Sequence, residues 1–220
     1  MPLTLYFHPL SSYCHKVLIA LYEHDIEFEK KIIDLGNEAD RAELQALWPL
    51  VKFPVIRDHA RQRDVAESSI IIEYLDHFHA RRHRLIPDDW EAAWEIRLWD
   101  RFFDLDVQGP MNQIVLDRLR STNGDLTRER AALTTAYGML DRQLASRMWA
   151  TGDEFSMADC AACPALFYAD TLVPFADDYP HLNAYFERLI TRPSFQRVID
   201  EARPWFSIYP FADGIAQRFR

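Results

Sequence analysis

This chain has few glycines, 6 in 220 residues, while 49% of it is apolar, which together exclude a disordered or low-complexity polymer. Cysteine is scarcer still. The three present, Cys14, Cys160 and Cys163, are odd in number and lack the spacing of a disulfide framework. No apolar run is long enough to span a bilayer, and the first residues lack the basic-then-apolar pattern of a secretory signal. A soluble, cytoplasmic protein is expected. Positive charge is also short: 25 Lys and Arg stand against 34 Asp and Glu, a net charge of −9 at pH 7. Cations for a phosphate backbone would have to be gathered from an acidic surface. Nucleic acid and membrane are therefore set aside as partners. The length suits one large domain or two modest ones.

What is present is concentrated between Leu3 and Leu21. Leu3, Leu5 and Phe7 alternate with Thr4, Tyr6 and His8, and Val17, Leu18 and Leu21 then repeat at helical spacing, so strand, tight loop and helix are predicted. The loop Pro9-Leu10-Ser11-Ser12 places a hydroxyl where a helix N-terminus presents unpaired N–H groups and a positive dipole end. That place suits an anion such as a thiolate. Ser11-Ser12-Tyr13-Cys14 has the form of a Cys-x-x-Cys loop whose first cysteine is serine, so disulfide exchange is not expected. A plain serine cap accounts for the same residues.

Phe28 to Asp34 reads as a second strand, parallel to the first because a helix separates them, and Asp40 to Leu47 as a short helix. Val51 to Ile56 reads as a strand with a proline inside it, which cannot donate to a ladder. A cis Phe53-Pro54 bond at a sheet edge resolves the conflict and leaves the Phe53 N–H and C=O free for an extended peptide; an ordinary edge strand with trans proline is the other reading. A helix starting at Glu67 or Ser68 should bury Ile71, Tyr74, Leu75 and Phe78. Ser68 and the free N–H groups suit a ligand carboxylate, and Glu67 suits an ammonium. Both groups on one carbon make an α-amino acid head, although capping alone would also favour Ser and Glu there.

The order and spacing of these features resemble the N-terminal domain of cytosolic glutathione transferases, of a serine type similar to the theta and zeta classes. Ser11 stands at the activating serine, Phe53-Pro54 at the cis-proline step, and Glu67-Ser68 at the γ-glutamyl-binding pair. The likeness continues through GDEFSMAD at Gly152 to Asp159 and RPSF at Arg192 to Phe195. It implies an α/β plus all-α architecture: a thioredoxin-like domain with a mixed four-stranded sheet over residues 1–79, a linker over 80–89, and an all-helical domain over 90–220. It also implies glutathione as co-substrate, a thiol activated by Ser11 for attack on a small, apolar electrophile, no metal, and a homodimer. Ser12 and then Tyr6 are the next choices for the activating hydroxyl. A non-catalytic glutathione-binding protein, or a glutathione-dependent isomerase or dehalogenase, would carry the same residues. Trp48 and Val51 depart from the family's small or polar residues before the cis-proline.

Beyond the linker the pattern is helical throughout. Trp90, Trp94, Leu98, Phe102 and Leu105 stack at three- and four-residue spacing on a long helix that Gly109-Pro110 should kink or interrupt. Leu133, Tyr137, Leu140 and Leu144 make the seam of the next. Ser156 and Asp159 form a capping box, with a staple from Phe155 to Cys160, so Asp159→Ala should cost about 1 kcal/mol or more of stability and leave glutathione affinity intact. Cys160-Ala161-Ala162-Cys163 lies within an apolar helix and reads as packing, as does Cys14. His77, His79 and His83 suit a helix C-terminus. The aromatic segment 204–220 either covers a second-substrate pocket or pads the helical core.

Overall fold

The alternating segment forms β1 (Leu3–Phe7) and runs through the Ser11 loop into α1 (Ser12–Glu23), in a computed structural model that describes residues 2–80 and 84–220. Next come β2 (Glu29–Ile32), α2 (Glu38–Leu47), β3 (Val55–Asp58), β4 (Arg63–Ala66) and α3 (Ser68–Phe78). The sheet order is β2-β1-β3-β4. β1 is parallel to β2 and antiparallel to β3, and β3 is antiparallel to β4. This is the mixed four-stranded sheet expected. The third strand, however, starts at Val55 rather than Val51, because Pro54 has no N–H and Val51 sits at φ 52°. Phe78, expected in the core, is 39% exposed, with the Arg61 guanidinium 4.1 Å above its ring.

Two buried carboxylates fasten this first unit. Asp58 accepts from the Tyr74 hydroxyl at 2.8 Å, the Arg61 N–H at 3.0 Å and His79 Nε2 at 2.9 Å. Asp76 accepts from the Leu85 N–H at 2.6 Å and Arg84 Nε at 3.1 Å, with His24 Nε2 3.3 Å away. Burial pushes both carboxyls up, but these donors outweigh it and hold both below the ordinary range. A depressed folded value stabilises the fold above the unfolded pKa, and that contribution is lost as pH falls through the folded one. Stability should therefore drop below about pH 4, and urea unfolding across pH should show a flatter acid limb for Asp76→Asn. An unchanged limb would dissociate Asp76 from acid unfolding. Of the histidine cluster, His79 serves Asp58, His77 lies in the last turn of α3, and His83 lies outside the described residues.

The chain divides between Leu85 and Ile86 into two units. The second contains α4 (Trp90–Phe102), a π-helical turn (Phe103–Val107), α5 (Gln108–Arg120), α6 (Thr127–Leu144), α7 (Met157–Asp170), α8 (Pro180–Ile190) and α9 (Pro193–Ala202), followed by three short 3-10 turns. The interruption falls just before Gly109-Pro110. The Gln108 N–H bonds the Phe103 carbonyl five residues back, widening the turn ahead of a proline that lacks a donor and crowds the preceding carbonyls. The apolar stripe chosen on α4 is also the wrong one. Trp90, Trp94, Leu98 and Leu105 are 74%, 56%, 49% and 60% exposed, and Ala93, Ile96, Phe103 and Val107 face the core instead. Both stripes repeat at helical spacing, so periodicity alone could not rank them.

The α6 seam residues Leu133, Tyr137, Leu140 and Leu144 are all buried. Segment 204–220 packs onto α7: Phe167 stacks on Phe206 with ring centroids 6.1 Å apart, Phe195 meets it edge-on at 6.0 Å and Phe219 at 5.2 Å, and Thr171 Oγ1 and the Tyr209 hydroxyl are 2.8 Å apart. The tail thus pads the helical core. Gly214 seals it, since a Cβ there would lie 2.5 Å from the Thr171 carbonyl oxygen. Gly214→Ala should lower stability by about 1–3 kcal/mol, the usual cost of overpacking, with protease cleavage appearing in the tail; wild-type melting would refute that contact.

Candidate functional site

The last row shared by the three strands is Tyr6–Val55–Ala66. One step beyond it at the same end of the sheet lie the β1–α1 loop, Pro54 and Glu67. The register therefore gathers three sequence-predicted segments that are up to sixty residues apart. His8 and Phe53 confirm the approach, with ring centroids 6.0 Å apart and planes inclined by 20°. Lys16 ties α1 to α3 beneath them, its buried Nζ donating to Ser69 Oγ at 2.9 Å.

Ser11 is the N-cap of α1. Its Oγ accepts from the Cys14 N–H at 3.4 Å, and its hydroxyl is also in hydrogen-bond contact with the Cys14 thiol. Ser11 is half-buried, whereas Ser12, the first helical residue, is buried. Cys14 is fully buried, and burial pushes its thiol up to about 12, so it is no nucleophile. Tyr6 belongs to an apolar cluster with Ile33, Leu44 and Val55. Burial, then the Glu43 carboxylate, push its hydroxyl above the usual value.

The Phe53-Pro54 bond is cis. The ladders begin at Val55, so the Phe53 backbone stands outside them. Glu67 precedes α3 at φ 68°, ψ 118° and is exposed. Its carbonyl accepts from the Ile71 N–H at 2.8 Å, and the first N–H groups of α3, with the Ser68 hydroxyl, form the helix's unpaired end. A non-glycine residue at positive φ stores strain that the surrounding fold must hold, a common mark of ligand-gripping positions. The N-termini of α1 and α3 thus open on one end of the sheet, each bringing a partial positive charge.

Sequence reasoning missed two residues. His8 reads only as the end of an alternating strand, yet its ring and carbonyl shape the Ser11 loop. Lys16 is not singled out by the sequence, yet is 1% exposed. Among the described residues, no group of three or more His, Cys, Asp or Glu could hold a metal ion, Cys160 and Cys163 are buried and in no disulfide, and no helix is long and apolar enough to cross a membrane.

A thioredoxin-like sheet with two helix N-termini and a cis-proline at one end, followed by an all-helical unit, defines a two-domain transferase class. Comparison with known proteins agrees. The glutathione S-transferase N-terminal domain model matches residues 5–83, and the C-terminal domain model of the same family matches residues 121–193. The Escherichia coli glutathione S-transferase GstB is 24% identical over 206 residues, covering 90% of this chain and 97% of that protein. An epsilon-class glutathione S-transferase from the housefly, Musca domestica, superposes with a TM-score of 0.84 at 17% identity over 96% of each chain. A glutathione S-transferase from Methylobacillus flagellatus with GSH bound gives 0.77 at 24% identity, over 89% of this chain and 98% of that one. This chain belongs to the glutathione S-transferase family.

Proposed function

We propose that this glutathione S-transferase is of the serine type, with Ser11 donating to the glutathione sulfur and lowering its pKa for attack on a small, apolar electrophile. Glutathione is the co-substrate. The Phe53 backbone beside Pro54 pairs with its peptide, Ser68 and the α3 N-terminus hold the γ-glutamyl carboxylate, and Glu67 holds the ammonium. The observation that carries this reading is the register Tyr6–Val55–Ala66, which brings all three segments to one end of the sheet. Ser11 is favoured over Ser12 by exposure, and over Tyr6 because Tyr6 packs among apolar side chains.

A hydrogen bond to a charged group contributes about 1.5–3 kcal/mol, equivalent to about one to two pK units. A thiol with a free value near about 8.5 would then be largely thiolate near neutrality. The test is an ultraviolet titration of the bound thiol. A depressed pKa that returns toward the free value in Ser11→Ala supports the assignment. An equally low pKa in both proteins moves the role to Ser12, Tyr6 or the helix dipole, and no depression in either favours a binding protein over an enzyme.

The exposed row Trp90, Trp94, Leu98 and Leu105 on one helical face supports a homodimer. Sedimentation should give twice the 25.9 kDa chain mass, falling to one chain in Trp94→Glu; a wild-type monomer at micromolar concentration would defeat it. Three buried cysteines, none in a disulfide, are compatible with the reducing cytoplasm.

A further inference from the structure

His8 stands between the two segments that the glutathione reading depends on, and it engages each through a different part of itself. Its Nδ1 accepts from the Leu10 N–H at 3.2 Å, and its carbonyl accepts from the Ser11 N–H at 3.0 Å. Both bonds shape the turn that carries Ser11. The ring lies nearly parallel to the Phe53 ring at 6.0 Å, and so bears on the residue whose backbone precedes Pro54. The side chain is half-buried, where a ring contact and a hydrogen bond count for more than on an open surface.

We propose that His8 is a positioning residue of the glutathione site, setting the Ser11 hydroxyl through its Nδ1 acceptor and the Phe53–Pro54 step through its ring. An imidazole supplies both because it is an aromatic plane with an acceptor at one corner. The bond from Leu10 requires an unprotonated Nδ1, which places the neutral ring's proton on Nε2. Burial favours this form by holding His8 below the usual histidine value against the pull of Asp34. The inference rests on the reading of Ser11 and Phe53 given above, and it separates thiol activation from peptide binding within one side chain.

Two variants divide the two roles. His8→Asn keeps an acceptor in the position of Nδ1 but removes the ring, and His8→Phe keeps the ring but removes the acceptor. Each is compared with wild type by calorimetric titration with glutathione and by ultraviolet titration of the bound thiol. In His8→Asn the bound thiol pKa should stay at the wild-type value while affinity weakens about three- to tenfold, the worth of an aromatic pair. In His8→Phe affinity should stay within about twofold while the bound thiol pKa rises by about half a unit or more. A general loosening of the loop would move both readouts in both variants and overturn the proposal, as would two variants identical to wild type. If the wild type binds glutathione without depressing its thiol, the Ser11 reading fails by itself. The affinity difference between the two variants then still decides whether His8 sets the Phe53 step, and equal affinities overturn it.

Discussion

Asp159→Ala is expected to cost about 3–5 kcal/mol, because it takes the shared acceptor from several buried donors, several times the about 1 kcal/mol of an ordinary helix cap. Asp159 is wholly buried and accepts four bonds: from the Ala150 N–H at 2.9 Å, the Ser156 N–H at 2.8 Å, the Ser156 hydroxyl at 2.9 Å and the Tyr185 hydroxyl at 2.6 Å. It closes the capping box of α7 and also holds the 149–152 turn and α8 to the start of that helix. Alanine would leave four donors without an acceptor, each costing about 1–3 kcal/mol when dry. Water entering the vacated space keeps the total below the sum.

Burial pushes the Asp159 carboxyl above the ordinary range despite these donors. With the folded value above the unfolded one, this group's contribution favours folding at low pH and declines as pH rises through the folded value. That sign is opposite to Asp58 and Asp76. Asp159→Asn keeps one oxygen but turns an amide donor toward one pair of donors, so it should recover at most about half of the loss. Urea unfolding measures both variants. A loss below about 1 kcal/mol for alanine would mean that the network is hydrated. Glutathione affinity per folded molecule should not change, because every Asp159 partner lies in the helical unit.

Ser11→Ala should lower kcat/KM with an activated aryl halide by about 10- to 100-fold, the worth of one hydrogen bond to a charged sulfur. The loss should fall on kcat, with KM for glutathione within about threefold, because in the proposed role the hydroxyl would bond the thiolate and add little to peptide binding. The α1 cap bond to Cys14 is long, at 3.4 Å, so stability should fall by less than about 1 kcal/mol. Glu67→Gln should do the reverse, raising KM for glutathione with kcat nearly unchanged, if its carboxylate holds the ammonium as proposed, a group remote from the sulfur. Equal kcat in wild type and Ser11→Ala would remove Ser11 from the chemistry and leave it as a cap.

The amino-acid sequence by itself determined the local events: the strand-loop-helix at Leu3 to Leu21, the break that Pro54 puts in its strand, the α3 start at Glu67-Ser68, the α6 seam and the Ser156–Asp159 box. Each is decided by neighbours within a few residues, through periodicity, a missing proline donor or an unpaired helix end. Tertiary structure decided the rest. Arg63 to Ala66 became a strand only because β3 offered it an edge, since Val65 is its one strong strand former. The two stripes of α4 are equally helical in spacing, and packing chose Ala93 and Ile96 over Trp90 and Trp94. His8 gained a role only when sheet register brought Phe53 beside it, and Asp159 grew from a cap to the centre of a four-donor network only when Tyr185 folded against it. Long-range partners are set by how elements pack, and periodicity along one element carries no record of what lies across from it.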